Sequence, residues 1–504
     1  MSDSIICTIN KFLPQNFIWK RKKTIFALSN NKTNNIMKHL FTLLMALVPM
    51  VMSAEEIPVV QGCLTFKINT ETKTAKLSSC DKEDYPESIT IPQTIEYEGK
   101  TYPVTELGYM AFCRCENLVS VVIPKGVTNI DWDVFNGCTN LETVKIPNTV
   151  NKMGGQLFWC CQKLKSVNIP NEVTELNTYT FYKCKSLKSI TIPSSVTKIG
   201  GSSVFMDCEG LETVVLNEGL KEIGNSAFDG CKQLKTINIP STVTSIIGLA
   251  FSGCESLTSI TIPNSVKEIG DHAFSDCKSL TTATLPNGIT TIEDGVFSGC
   301  ENLSAITIPN SVTTIGYYAF ERCKALTSIV IPNSVTTIQG NAFSCCYNLE
   351  SATLPNNIKK IPNRCFGTCS SLASIVIPNS VNEIEKYAFD GCRNLTSLTI
   401  GNHVKVIGNA AFSSCEIKNV YCYSKEVPQI TNNTFYIMTQ IGNLYVPANS
   451  LENYKTNDLW NDFRHIYPLN GNEPTNMIYQ KGDVNEDGEV NVADAVSVVN
   501  MILE

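Results

Sequence analysis

The stretch ITIPNSVKEIGDHAFSDCKSL, residues 260–280, places Cys277, His272 and several carboxylates within a short span of chain. Thiol, imidazole and carboxylate are the ligand set of a zinc site and the parts of an activated thiol nucleophile. A second group closes the chain. In GDVNEDGEVNVADAVSVVNMILE, 482–504, Asp483, Asn485, Asp487, Glu489, Asn491 and Asp494 hold positions 1, 3, 5, 7, 9 and 12 of a twelve-residue loop. Gly488 takes the sixth position, where a sharp turn is needed. Hard oxygen ligands at this spacing build a Ca²⁺ cage, with Glu489 giving its backbone carbonyl and Asn491 acting through water. Asp494 departs from the bidentate Glu usual at position 12. Ala495, Val498, Val499 and Ile502 then share one helix face.

A third group is a cysteine pair. In CLTFKINTETKTAKLSSC, 63–80, a hairpin turning at Thr70 to Lys73 sets Phe66 opposite Leu77 and Ile68 opposite Ala75. The same register sets Cys63 opposite Cys80, which predicts a cross-strand disulfide in an oxidising compartment; the alternative is two free thiols.

The elements around Cys277 decide what it does. Aligned on Phe and a Cys three residues later, the chain repeats fourteen times, from Phe112/Cys115 to Phe412/Cys415. Every step is 23 residues except one of 24, at KIGGSSVF (198–205). A fixed period in the twenties means stacked coils. Each unit reads C-x-x-L-x-x-I-x-I-P-x-x-V-x-x-I-G-x-x-A-F. Ile260 and Ile262 point inward at strand period two, and Pro263 ends the strand because proline cannot donate to a ladder. Val266 and Ile269 turn the chain back, Gly270 eases a bend, and Ala273-Phe274 plug the far side on a short helical turn. The fold expected is a β-rich leucine-rich-repeat solenoid with a parallel sheet on its concave side, a small β cap at the N-terminus and a short calcium-loop/helix tail.

Fourteen of the 22 cysteines then form one column. Coils about 4.8 Å apart hold parallel Cβ atoms too far apart for disulfides, so these are small buried thiols. His272 is the only histidine in its register and decorates the surface; His39, His403 and His465 give no zinc spacing.

The outward residue between the two inward aliphatics is Thr261, Thr284, Thr307, Val330 and Thr353 in successive units, a nearly uncharged hydroxyl row. It predicts an extended ligand face, against the plainer reading that Thr simply favours strands. Aromatic platforms are missing from it.

Residues 1–54 carry seven Lys/Arg against one acid, so the formal charge of −7 becomes −13 without them. That excludes the electrostatic footprint for nucleic acid or anionic membranes. MKHLFTLLMALVPMVMSA, 37–54, has the anatomy of a signal peptide; its apolar core is too short for a span, which needs about 20 residues. Residues 1–36 are read as a start assigned too early, 55–104 as the N-terminal cap and 105–416 as the repeats. Residues 417–469 form a degenerate repeat and C-terminal cap with a helix near Ser450 and a Trp460/Phe463 plug. A linker, 470–481, precedes the calcium segment, 482–504.

The unit LTSITIPNSVKEIGDHAFSDC resembles the BspA-like leucine-rich repeats of bacterial surface proteins over about 105–416, and LYVPANSLENYK resembles their C-terminal flank. That resemblance implies a secreted or cell-surface protein adhering to host matrix or another protein ligand. The tail resembles one calcium segment of a type I dockerin, which implies a cohesin partner; a dockerin has two such segments. The alternative function is a structural component of an extracellular assembly docked through that tail. No Ser/His/Asp or Cys/His set and no phosphate-cradling loop appears, so a binding scaffold is expected and not an enzyme.

Overall fold

The computed structural model describes residues 56–436 and 442–469. The signal segment and the calcium loop lie outside the described residues.

The 23-residue period is the strand register itself. Strand Ser259–Thr261 pairs in parallel with Thr282–Thr284, setting Ser259 against Thr282, Ile260 against Ala283 and Thr261 against Thr284. Leu257, Ile260 and Ile262 are buried while Ser259 and Thr261 face out, as the alternation requires. This first ladder of strands runs from Ser88–Thr90 to His465–Pro468.

A second parallel ladder replaces the simple return expected at Val266 and Ile269. Glu268–Ile269 pairs with Ser245–Ile246, and equivalent strands, two residues long except at Lys198–Ser202 and Glu222–Asn225, recur from Asn129–Ile130 to Val406–Ile407. One inward side chain per coil suffices here. The flanking amides do the rest: Lys267 N–H donates to Thr244 O and Gly270 N–H to Ile246 O, both at 2.9 Å.

The helical turn expected at Ala273-Phe274 does not form either. Two left-handed residues bracket Phe274, His272 at φ 54° and Asp276 at φ 55°. Between them the amides of His272, Phe274 and Asp276 donate to Asp294, Val296 and Ser298 of the next coil at 2.7–3.0 Å. The turn is therefore laddered too, and no buried amide is left unpaired. Left-handed residues recur two before and two after most of the column phenylalanines, many of them not glycine, including Leu249 and Thr368. Gly270 itself is not in this conformation. Glycine is required at Gly201, the extra residue of the 24-residue unit: its φ is 65°, and a Cβ there would stand 2.7 Å from Thr178 N. The ladder shifts register at that point and then resumes.

Phenylalanine sits on the far wall of the core. Fifteen rings, Phe112 through Phe435, stack at centroid distances of 5.0–5.7 Å and interplanar angles of 1–12°. Offset parallel stacking at this spacing adds to the burial of each ring. Emptying one position, as in Phe274→Ala, removes contacts with both neighbours and costs about 3–5 kcal/mol.

Both ends are covered. At the start, β1 (Glu56–Gln61), β2 (Leu64–Asn69) and β3 (Thr74–Cys80) form a small sheet, β2 and β3 antiparallel. There β3 pairs in parallel with Lys100–Leu107, which hands the sheet on to Asn129–Ile130. At the other end a short helix, α1 (Leu451–Lys455), starts after Ser450 and buries Tyr454. Trp460 and Phe463 meet Phe435 edge-on, at 6.1 and 5.4 Å, and close the ring stack. Trp460 Nε1–H donates to Pro428 O at 2.8 Å, so the buried indole is satisfied.

Candidate binding surfaces

The column cysteines are buried, and no two of them are joined. They are also more than filler. Cys277 Sγ–H donates to Phe251 O, 26 residues back, at 3.2 Å. The same bond recurs for thirteen cysteines, Cys138 through Cys415, at 3.0–3.3 Å. Most of these Phe carbonyls also accept an amide from their own coil, as Phe251 O does from Cys254 N–H at 3.2 Å. Both lone pairs of a buried carbonyl are thus used. Burial pushes the Cys254 and Cys300 thiols well above the ordinary value and Cys392 to about 12. A thiolate nucleophile or metal ligand needs the opposite shift. His272 lies on the surface turn, apart from the buried Cys277 column.

The hairpin register differs from the expected one. Phe66 pairs with Leu77 and Ile68 with Ala75, but a bulge between Thr65 and Phe66 then sets Leu64 against Cys80. Cys63 is displaced by one residue from its expected partner, and both thiols are free in the structure. The Cys80 thiol donates instead to Asp81 O at 3.4 Å, and the neighbouring Cys115 thiol first, then burial and Cys63, push it up.

The strand face bears the hydroxyl row. Thr261, Thr284, Thr307 and Thr353 are exposed, and Val330 is 67% exposed. Among the described residues none of these four hydroxyls has a side-chain hydrogen bond to the protein. The neighbouring row behaves differently. Thr258 Oγ1–H donates to Lys235 O and Thr281 Oγ1–H to Thr258 O, at 3.4 and 3.0 Å, so those hydroxyls tie coil to coil.

The row does not stay free of aromatics. Beyond Thr399 the same ladder position is Tyr421, then Tyr445, then Tyr467. The three rings stack at 4.8 and 5.6 Å. Beside them run Asn419, Asn443 and His465, with Asn443 Nδ2–H donating to Asn419 Oδ1 at 3.3 Å. The expected aromatic-free face thus ends in a tyrosine ladder. The signal was readable: NVYC, NLYV and HIYP share a tyrosine after an inward aliphatic.

The turn face carries its own aromatics. Trp159, Tyr179 and Tyr182 cluster at 4.9–5.4 Å, with Lys183 Nζ 4.9 Å from the centre of Tyr182. Exposed ion pairs such as Lys324–Glu301, 2.9 Å, join successive coils here and contribute little.

The calcium-loop residues Asp483, Asn485, Asp487, Glu489, Asn491 and Asp494 lie outside the described residues. Among the described residues no three His, Cys, Asp or Glu side chains converge to hold a metal ion, and no helix is long and apolar enough to cross a membrane.

The model of the BspA type leucine rich repeat region matches residues 105–204, 201–324, 290–418 and 359–462. Among solved structures, a leucine-rich repeat protein from Bacteroides ovatus is 28% identical with a TM-score of 0.66, over 82% of this chain and 100% of that one. A leucine rich cell surface protein from Faecalibacterium prausnitzii is 30% identical with a TM-score of 0.47, over 73% of this chain and 96% of that one. The pneumococcal vaccine antigen PcpA is 17% identical with a TM-score of 0.43, over 82% and 99%. No curated protein matches the chain.

Proposed function

The chain belongs to the family of BspA-type leucine-rich repeats, and we propose on that basis that it is a secreted or cell-surface scaffold that binds a protein through its strand face. The observation that carries this reading is the set of outward hydroxyls of Thr261, Thr284, Thr307 and Thr353 without intramolecular side-chain partners, on the same ladder position that, beyond Val376 and the buried Thr399, becomes Tyr421, Tyr445 and Tyr467. A flat, uncharged row offers many weak polar contacts, and tyrosine supplies the large rigid area that dominates interface energies. The relative from Faecalibacterium prausnitzii is described as a cell surface protein, which supports export through residues 37–54. We assign the partner to extracellular-matrix or other surface proteins and the chain to binding, with no catalytic role. Retention on immobilised matrix proteins tests this; the wild type should be held and a Tyr445→Ala variant held less well.

The calcium segment favours a second reading, an assembly component docked onto a cohesin through residues 482–504. The ligand spacing from Asp483 to Asp494 motivates it. Calorimetry of the full chain should show Ca²⁺ uptake that Asp483→Ala abolishes, and cohesin capture that depends on Ca²⁺. Uptake without capture removes the docking role.

A further inference from the structure

The turn face holds a cleft that the strand-face reading does not use. Its volume is about 540 Å³, and it spans the turns of three successive coils, those of Phe389, Phe412 and Phe435. Its origin is a gap in two side-chain columns. Two before and one after the phenylalanine, the first coil carries Tyr387 and Asp390 and the third carries Asn433 and Tyr436. The middle coil has only Ala410 and Ser413, which are 7% and 6% exposed and form the floor. Small residues between large ones leave a slot walled by tyrosines on opposite corners, with the flanking coils roughly 10 Å apart.

The walls are fixed. Arg364 of the preceding coil lies 5.0 Å from the centre of the Tyr387 ring. Asp390 N–H donates to Tyr387 O at 3.1 Å and Ser414 N–H to Tyr436 O at 2.9 Å. Thr431 Oγ1–H donates to Asn409 Oδ1 at 3.3 Å, which orients the Asn409 amide. Among the described residues the Asp390 carboxylate has no side-chain hydrogen bond or ion pair. Tyr436 is 56% exposed.

We propose that this cleft binds a neutral sugar ring. A pyranose has an apolar C–H face for a tyrosine and adjacent hydroxyls for planar groups that bond two at a time. Asp390, Asn409 and Asn433 are such groups, and Ser414 adds a hydroxyl. An anion would meet the Asp390 carboxylate, and a wholly apolar ligand would strand the polar lining without partners. Two tyrosine rings at the corners with polar groups converging between them suit a polyhydroxylated ligand better than an apolar one.

Titration calorimetry on the full chain tests it with methyl glycosides of glucose, galactose and N-acetylglucosamine, and with choline as a cationic control. One of the sugars should bind in the millimolar range. Tyr436→Ala and Asp390→Ala, both at accessible positions, should each weaken it about tenfold. Ser413→Trp should abolish it by filling the floor, while Thr261→Glu on the strand face should leave it unchanged. No heat with any sugar at roughly 50 mM overturns the proposal. So does sugar binding indifferent to both alanine variants, or choline binding tighter than every sugar.

Discussion

The Cys277 thiol donates a hydrogen bond to the Phe251 carbonyl of the coil before it, at 3.2 Å. The bond joins adjacent coils side by side with the ring stack, and it explains why a thiol fits a position where a methyl would also be buried. Cys277→Ala should remove this donor and leave a small void, lowering stability by about 1–2 kcal/mol. Denaturant unfolding measures the loss. Thiol labelling gives a parallel check: the fourteen column cysteines should react only after denaturation, and reaction in the native state would contradict their burial.

Thr368 holds φ at 60° with a β-branched side chain exposed to solvent. The equivalent residue of the next coil is Gly391, at φ 77°. Thr368→Gly should relieve the left-handed strain and raise stability by about 0.5–1 kcal/mol. A fall in melting temperature would mean that the side chain contributes a contact worth more than the strain.

Asp229 gives a pH signature. Burial first, and then the charge of Asp207, push its carboxyl up to about 6, against the lowering effect of the Ser252 hydroxyl. An unfolded aspartate titrates near about 3.9. Between these values the folded chain binds a proton that the unfolded chain does not. The contribution therefore favours folding below about pH 4 and is lost as pH rises through about 6. Asp229→Asn should raise stability at pH 7.5 by about 1 kcal/mol, after allowance for its partial exposure, and give no gain at pH 4. An equal gain at both values would exclude the carboxylate as the cause.

Cys80 faces two thiols, Cys115 and Cys63. In exported protein a bond from Cys80 to Cys63 should appear in a non-reducing peptide map, with Cys115 left to the buried column. A Cys80–Cys115 link, or three free thiols, would remove the hairpin disulfide.

The repeat was legible because each coil must match its neighbours, which keeps Phe and Cys in phase over fourteen units. What escaped had no such phase. Phe435 continues the ring stack, but Met438 stands where the cysteine would be, so alignment on the pair stopped one ring short. The second ladder, as at Glu268–Ile269, is two residues in most coils, too short for alternation to reveal. The bulge beside Thr65 broke a register that assumed even pairing from Ile68 to Cys63. The sulfur bond of Cys277 joins residues 26 apart, one coil plus a turn, and no local pattern marks it. The Tyr387–Tyr436 slot depends on what Ala410 and Ser413 lack, and absence in a column is visible only once the columns are stacked.

The strand-face reading is tested most directly by binding to an array of immobilised extracellular-matrix proteins. Three chains are compared: wild type, the strand-face variant T261E/T284E/T307E, and the turn-face variant W132A/Y317A. Trp132 and Tyr317 are exposed, as the three threonines are, so both variants should fold. The wild type and the turn-face variant should be retained equally, and the strand-face variant should bind about tenfold more weakly, since its added charges must be desolvated without partners. Undiminished binding by the strand-face variant, with loss in the turn-face variant, would contradict the account.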